Sequence, residues 1–388
     1  MGKTKSVFLG IVFCVVLSSA LNAQWTTRRL TVNAGYSAYP AVATSWPNIY
    51  VAWSDNTSGE SQIYLKQSAD GGATWLAAKK ITDLSHSSHP DIAIYQKNIY
   101  VVWQEILPDE DKTEVFFMKS PDKGATWTDP LRLTHSIESS FLPRIAKNGA
   151  NVYVVWSEHI DNYSPGNYEI FFRKSTDGGE TWQAKKRLTH ISGISNSPVI
   201  VVDSSDNIFI IWYDNTLGLY ELFFKKSTDG GATWQSAQRL TYYDPKNNVE
   251  PAIAVNGANI YVTWSRENWE GNKEIYFIGS FDGGATWAAN KKLTSNLGYS
   301  RYPAIAVGQA NEIYIVWQDD ARGNFEVYFM MSMDGGATWQ NAQRLTYNSG
   351  KSYEPRIKFA VNGSAIFVVW YDDTPGNYEI YLKCLTLL

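Results

Sequence analysis

The stretch Ser175-Thr176-Asp177-Gly178-Gly179-Glu180-Thr181-Trp182 is one of six copies of Ser-x-Asp-x-Gly-x-Thr-Trp, ending at Trp75, Trp127, Trp182, Trp234, Trp287 and Trp339. Successive copies are 52, 55, 52, 53 and 52 residues apart. A period of that size with several short strands per unit is the signature of propeller blades, each a small sheet that buries its faces only against its neighbours. Around each copy the chain reads as an A strand opening at a proline, a B strand ending in tryptophan, a C strand, the octapeptide as a turn, and a short D strand.

The strands count higher than the octapeptides. A-strand prolines occur at Pro40, Pro90, Pro143, Pro198, Pro251, Pro303 and Pro355, and B-strand tryptophans at Trp53, Trp103, Trp156, Trp212, Trp264, Trp317 and Trp370. This predicts an all-β, seven-bladed propeller of four-stranded blades. The seventh unit lacks an octapeptide and a D strand after Glu379-Ile380-Tyr381-Leu382, whereas Trp25-Thr26-Thr27-Arg28-Arg29-Leu30-Thr31 reads as a D strand without a blade. The N-terminal strand is therefore expected to close the last blade and remove the exposed sheet edge at the seam. Runs such as Ile366-Phe367-Val368-Val369-Trp370 are apolar without alternation, as strands covered on both faces should be.

The octapeptide reads as a folding device. Its aspartate can accept turn amides, its glycines allow positive φ, and its tryptophan is a large apolar plug. Of sixteen tryptophans, six end octapeptides, seven end B strands and Trp25 fits a split seventh copy, which leaves Trp46 and Trp269 outside the repeat.

Residues 1–23 have the layout of a secretory signal peptide: Lys3 and Lys5, an apolar run from Val7 to Leu17, then small residues up to Ala20 and Ala23. Residues 24–388 form one expected propeller domain. Removing Lys3 and Lys5 leaves 32 basic against 38 acidic residues, a net charge of −6, which points away from nucleic acid and anionic membranes. Cys14 falls in the leader, so Cys384 alone remains and no internal disulfide can form. The expected product is a secreted or periplasmic monomer with no membrane span, cofactor or metal site; its five histidines lack the close pairing that zinc needs.

The octapeptide resembles the Asp-box of sialidases and other Asp-box (BNR) repeat propellers, and the resemblance covers essentially all of the chain after residue 23. The family occurs as sialidases, as enzymes that cleave plant polysaccharides, as sortilin-type receptors and as photosystem assembly factors, so it implies a fold more than an activity. For a sialidase it implies six blades, an early Arg-Ile-Pro motif, three arginines for the substrate carboxylate, a tyrosine nucleophile assisted by glutamate, and an aspartic acid/base. Here the nearest strings are Pro143-Arg144-Ile145 and Pro355-Arg356-Ile357, with the proline on the other side and no third arginine in register.

Strand direction separates the two faces. If the octapeptides and A–B turns lie below, the D–A and B–C loops lie above, where ligands of propellers gather. Two acidic rings belong to that upper face. One comprises Asp55, Glu105, Glu158, Asp214, Asp319 and Asp372, with Arg266 as exception; the other Glu114, Glu169, Glu221, Glu274, Glu326 and Glu379. Carboxylates repeated around a ring are expected to satisfy hairpins. Functional candidates are the places where single blades depart from the repeat. After the A-strand proline stand Asp91, Arg144 and Arg356 where other blades carry a small apolar residue. Before it stand Tyr39, His89, Leu142, Ser197, Glu250, Tyr302 and Glu354. Arg144 and Arg356 with Tyr39, His89 and Tyr302 suit a carboxylated or hydroxyl-rich ligand, and Trp269 offers an indole for a sugar or protein partner. The leading expectation is a glycan- or protein-binding propeller. An alternative is an exo-acting glycoside hydrolase such as an exo-alpha-sialidase, with Asp91, Glu250 and Glu354 as its carboxylates, and a third is a non-catalytic structural or assembly factor.

Overall fold

The computed structural model describes residues 25–387 apart from 85, 161–165, 192, 243–245 and 361; the expected leader lies outside the described residues. Seven four-stranded antiparallel sheets form seven blades, six of them with their strands in sequential order. Blade 1 comprises Ser37–Ser45, Asn48–Asp55, Gln62–Ser68 and Lys79–Lys80. Blade 7 comprises Ser352–Phe359, Ala365–Asp372, Glu379–Thr386 and, as its D strand, Trp25–Arg29. The closing strand runs antiparallel to the C strand with Trp25 opposite Leu385 and Arg29 opposite Tyr381. The ring is thus closed by its two ends, as the orphan D-strand sequence predicts.

The blades are locked to one another through the octapeptides. Within a copy, Ser175 Oγ donates to Asp177 Oδ1 at 2.7 Å, the Gly179 amide donates to Ser175 Oγ at 2.8 Å, and the Thr181 amide donates to Asp177 Oδ1 at 2.9 Å. In four of the six copies the turn then presents its tryptophan edge-on to an aromatic ring of the preceding blade, while Trp75 and Trp127 pack against apolar clusters that hold Leu382 and Leu65. Trp182 packs on Phe117, Trp234 on Phe172, Trp287 on Phe224 and Trp339 on Phe277, with centroids 5.0–5.1 Å apart. Trp25 repeats the contact on Phe329 at 5.2 Å, so the seventh copy is split between the termini. Long cations fasten the same seams: Lys186 Nζ donates to the carbonyls of Gly231 and Ala232, and Lys291 Nζ to those of Gly336 and Ala337.

The buried B strands put tryptophan and carboxylate side by side at the top of each blade. Trp53, Trp103 and Trp156 donate their indole N–H to Asp55, Glu105 and Glu158 at 2.9–3.1 Å. Ser37 and Ser87 donate to the same carboxylates. In blade 5, where Arg266 replaces the carboxylate, Asn248 replaces the serine and its Oδ1 takes the Trp264 indole proton at 2.8 Å. That paired replacement within one repeat marks the ring as structural. The second ring is equally occupied: Glu169, Glu221 and Glu326 receive Arg187, Arg239 and Arg344 from the D strands.

One detail departs from the strand assignment. The A strands open about three residues before their prolines, at Ser37, Ser87 and Ser140 for example. A proline can sit inside them because every A strand carries a bulge there, with register shifts such as Ala38/Ala41 and Tyr353/Arg356.

The second glycine of the octapeptide is fixed twice over. Gly179 has φ +85°, and a Cβ there would lie 2.5 Å from Phe117 Cζ, whereas a Cβ on Gly178 would meet only Tyr100 Oη at 3.5 Å. Lys123 accordingly stands at the first position in blade 2, at φ 61°. In urea unfolding, Gly178→Ala is expected to cost about 1 kcal/mol from its left-handed backbone, and Gly179→Ala roughly 1–3 kcal/mol more from overpacking the seam. Equal losses would contradict the seam contact.

Candidate functional site at the channel mouth

Loop contacts define the upper face. The Tyr36 amide in the D–A loop donates to Asn56 Oδ1 in the B–C loop at 2.6 Å, while the Gly71 amide of an octapeptide donates to the Pro47 carbonyl of an A–B turn at 2.9 Å. The D–A and B–C loops and the octapeptides therefore sit at opposite ends of the channel.

The bulges build the mouth. Tyr39, His89, Leu142, Ser197, Glu250, Tyr302 and Glu354, one per blade, all have φ between 44° and 58°. This conformation is uncommon for residues bearing a Cβ and persists where neighbours over-determine it. The preceding blade supplies that restraint: Ser54 Oγ accepts from the His89 amide at 3.1 Å, Gln104 Oε1 from the Leu142 amide at 3.0 Å, and Gln318 Oε1 from the Glu354 amide at 2.8 Å. The backbone is common to seven blades while the side chains range from serine to tyrosine, so the fold does not dictate them.

Charge is unevenly distributed at the position after the proline. Blades 7, 2 and 3 contribute Arg356, Asp91 and Arg144, whereas blades 1, 4, 5 and 6 place Ala41, Val199, Ala252 and Ala304 there. Arg144 Nη1 donates to the Pro143 carbonyl at 2.9 Å, and among the described residues the guanidinium forms no ion pair. Burial lowers its pKa, Asp91 and Glu354 oppose that, and Arg356 adds to it; the group stays charged. Arg356 Nη2 lies 3.6 Å from Glu354 Oε2. Two guanidiniums within each other's field, one of them with no carboxylate at ion-pair distance among the described residues, make this a candidate anion site. Lys358, two residues further along the same strand, adds a third cation in the channel. The channel below is otherwise lined largely by aliphatic side chains and encloses about 540 Å3.

The three candidate carboxylates have separate fates. Asp91 accepts its neighbour's Ile92 amide at 3.0 Å and the Ile145 amide of blade 3 at 2.9 Å, so it bridges blades through backbone, not through an ion pair with Arg144. Glu250 receives Lys273, Arg301 and the Tyr302 amide at 2.9–3.1 Å. Burial alone would raise its pKa, but these partners outweigh it and hold the carboxyl below its ordinary value. Glu354 keeps looser partners, Arg356 and the Tyr371 hydroxyl at 3.4 Å. Tyr302 is tied to Arg301, whose Nη2 lies 2.9 Å from its hydroxyl.

His89 and Tyr39 stack face to face, with centroids 3.8 Å apart at 24°. Burial, reinforced by Arg144 and Arg356, pushes the His89 pKa down to about 4, so the imidazole is neutral at pH 7. Trp269 stands apart: it is 78% exposed with Lys246 Nζ 4.7 Å from its ring centroid. Tyr163, the other candidate loop aromatic, lies outside the described residues.

Sequence reasoning missed Lys358 and Tyr371. Lys358 stands where other blades have Ala43, Ala93, Ala146, Val201, Ala254 and Ala306, so the same test of departure two residues further on finds it. A cavity of about 700 Å3 lies in the seam between blades 5 and 6, away from the mouth. Its lysines are already engaged, Lys291 with octapeptide carbonyls and Lys292 with Glu274 at 3.1 Å.

A family model described as a BNR repeat-like domain matches residues 97–363. The chain belongs to the BNR repeat-like family. A sialidase of Bacteroides fragilis is 22% identical over 286 residues, which are 63% of this chain and 51% of the relative. The chain thus spans about half the length of the curated relative it matches. Among solved structures, an ulvan lyase bound to -[GlcA(1-4)Rha3S]- superposes with TM-score 0.67 at 11% identity, covering 92% of this chain and 95% of the lyase. Trypanosoma rangeli sialidase in complex with sialic acid gives 0.51 at 13%, covering 79% and 55%. At these identities the structural likeness shows the fold alone. No helix of the BNR propeller is long and apolar enough to cross a membrane among the described residues.

The neutral His89 has a signature in stability. Its folded pKa lies below the unfolded value of about 6.5, so the unfolded chain binds more protons between the two and stability rises with pH. This contribution is complete above about pH 6.5 and is lost as pH falls toward 4. Urea midpoints at pH 7 and pH 5 are expected to differ less in His89→Gln than in the wild type; an unchanged difference would show that His89 is not held neutral.

Proposed function

We propose that the protein is an exported, monomeric propeller that binds a carboxylate-bearing glycan at its upper channel mouth, with the carboxylate held between Arg144 and Arg356. The carrying observation is the pair of guanidiniums in one another's field, with no carboxylate at ion-pair distance from Arg144 among the described residues. Tyr39, His89 and Tyr302 supply flat surface and hydroxyls for the sugar ring. The leader-like residues 1–23 support export. The uronate in the ligand of the ulvan lyase neighbour supports an acidic sugar as the ligand class.

A second reading, hydrolysis of a terminal acidic sugar, is favoured by one contact. The Tyr371 hydroxyl donates to Glu354 Oε1 at 3.4 Å beside Arg356. In this arrangement the tyrosine oxygen could bond to an anomeric carbon as the bond to the aglycone breaks and the aglycone leaves as its alcohol or phenolate, the tyrosine proton passing to glutamate; water then displaces the tyrosine to release the sugar. Burial and the neighbouring Glu354 raise the Tyr371 pKa, which leaves it protonated and dependent on that glutamate.

The test is a broad glycan array of the purified protein with parallel incubation on aryl sialoside and aryl glucuronide. Retention of acidic glycans without aglycone release is the expected result. Arg144→Ala or Arg356→Ala should each weaken retention by roughly tenfold to a hundredfold, the loss of charge-assisted hydrogen bonds worth about 1.5–3 kcal/mol. Aglycone release abolished by Tyr371→Phe would establish the second reading. Silence in both assays would overturn both readings in favour of a protein partner.

A further inference from the structure

Blade 7 carries three aromatic residues at upper-face positions where blades 3 and 4 carry two each, Phe141 with Tyr168 and Tyr213 with Tyr220. Two residues before its A-strand proline stands Tyr353 where blade 1 has Ala38. After its B-strand tryptophan stands Tyr371 where blade 1 has Ser54, and before its C-strand carboxylate stands Tyr378 where blade 1 has Ser61. Blade 1 folds into the same sheet with alanine and two serines, so the repeat does not require three tyrosines. They pack into one wall: Tyr353 stacks on Tyr371 at 5.4 Å, and Tyr371 meets Tyr378 edge-on at 5.3 Å. Tyr36, 56% exposed in the loop that enters blade 1, continues the wall against Tyr378 at 5.7 Å.

The inner end of the wall reaches the candidate anion site. Tyr371 contacts Tyr39 at 5.8 Å, Tyr39 stacks on His89, and the Tyr371 hydroxyl bonds Glu354, which faces Arg356. The run from His89 outward to Tyr36 covers more ground than a single pyranose. Within this run Tyr371 is buried, Tyr353 and Tyr378 are partly buried and Tyr36 is exposed; rings with an apolar face and a polar tip suit the faces and hydroxyls of successive sugars.

We propose that this tyrosine wall is the platform for the sugars flanking a bound acidic residue, so that the protein reads a stretch of a uronate-containing chain and not an isolated acid. This rests on the reading of Arg144 and Arg356 as the carboxylate site. The wall runs radially from the mouth across blades 7 and 1, and Tyr36 and Tyr378 contact the sugars farthest from the arginines.

Calorimetric titration of the full chain with galacturonic acid and with its linear trimer and pentamer tests it. In the wild type, affinity is expected to rise about tenfold or more from monomer to pentamer. Tyr36→Ala and Tyr378→Ala are expected to bring the pentamer-to-monomer ratio close to one, while Tyr378→Phe, which keeps the ring, retains the gain. Equal affinity for monomer and pentamer in the wild type, or loss of the gain in Tyr378→Phe, would overturn the platform while leaving the arginine site standing. Binding that is indifferent to Arg144→Ala, or no binding of any galacturonate, would overturn the arginine site and the platform with it.

Discussion

A four-stranded blade has two apolar faces and cannot cover either alone, so the packing of each octapeptide tryptophan against the preceding blade is the interaction on which the molecule depends. The partner is an aromatic ring from Trp182 on Phe117 to Trp339 on Phe277 and for Trp25 on Phe329, while Trp127 and Trp75 pack against apolar clusters that hold Leu65 and Leu382. Such stacking makes stability a property of neighbouring pairs, and a ring leaves no terminal pair uncovered. The octapeptide aspartates serve this contact. They tie their own turns through serine and threonine, and the turns in turn present tryptophan to the next seam.

Because the seams lie low and outward, the inner upper ends of the A strands are released from packing duty. There the chain places a proline and a left-handed residue in every blade, and the resulting bulge projects one side chain per blade toward the mouth under restraint from the preceding blade. A backbone that is the same seven times while its side chains differ is a scaffold on which chemistry can vary without refolding. The unequal use of that freedom gives the mouth its polarity. Arg144 from blade 3 faces Arg356 and Lys358 from blade 7 across the mouth, while Glu250 is clasped by Arg301 and Lys273.

Much of this was legible in the amino-acid sequence because a repeat carries its own comparison. Seven prolines against six octapeptides reveal seven blades, and Trp25 with its following strand reveals the closure. The departures at Asp91, Arg144 and Arg356 mark the mouth before any coordinates are known. What periodicity cannot convey is which atoms are already spent. Asp91 looks like a free carboxylate until the Ile92 and Ile145 amides are found on it, and Glu250 looks catalytic until three donors are seen to occupy it. Tyr371 escaped notice because a tyrosine after a B-strand tryptophan also occurs at Tyr213, so its meaning lies in the company of Glu354 and Arg356, which only the folded ring assembles.

The account turns on the two arginines, and a crystal structure of the protein with a bound uronate oligosaccharide tests it most directly. The carboxylate of one sugar should lie within hydrogen-bonding distance of the guanidiniums of both Arg144 and Arg356, at the mouth of the channel. Saccharide bound instead on Trp269 or in a seam between blades, with both arginines facing only water, would contradict it.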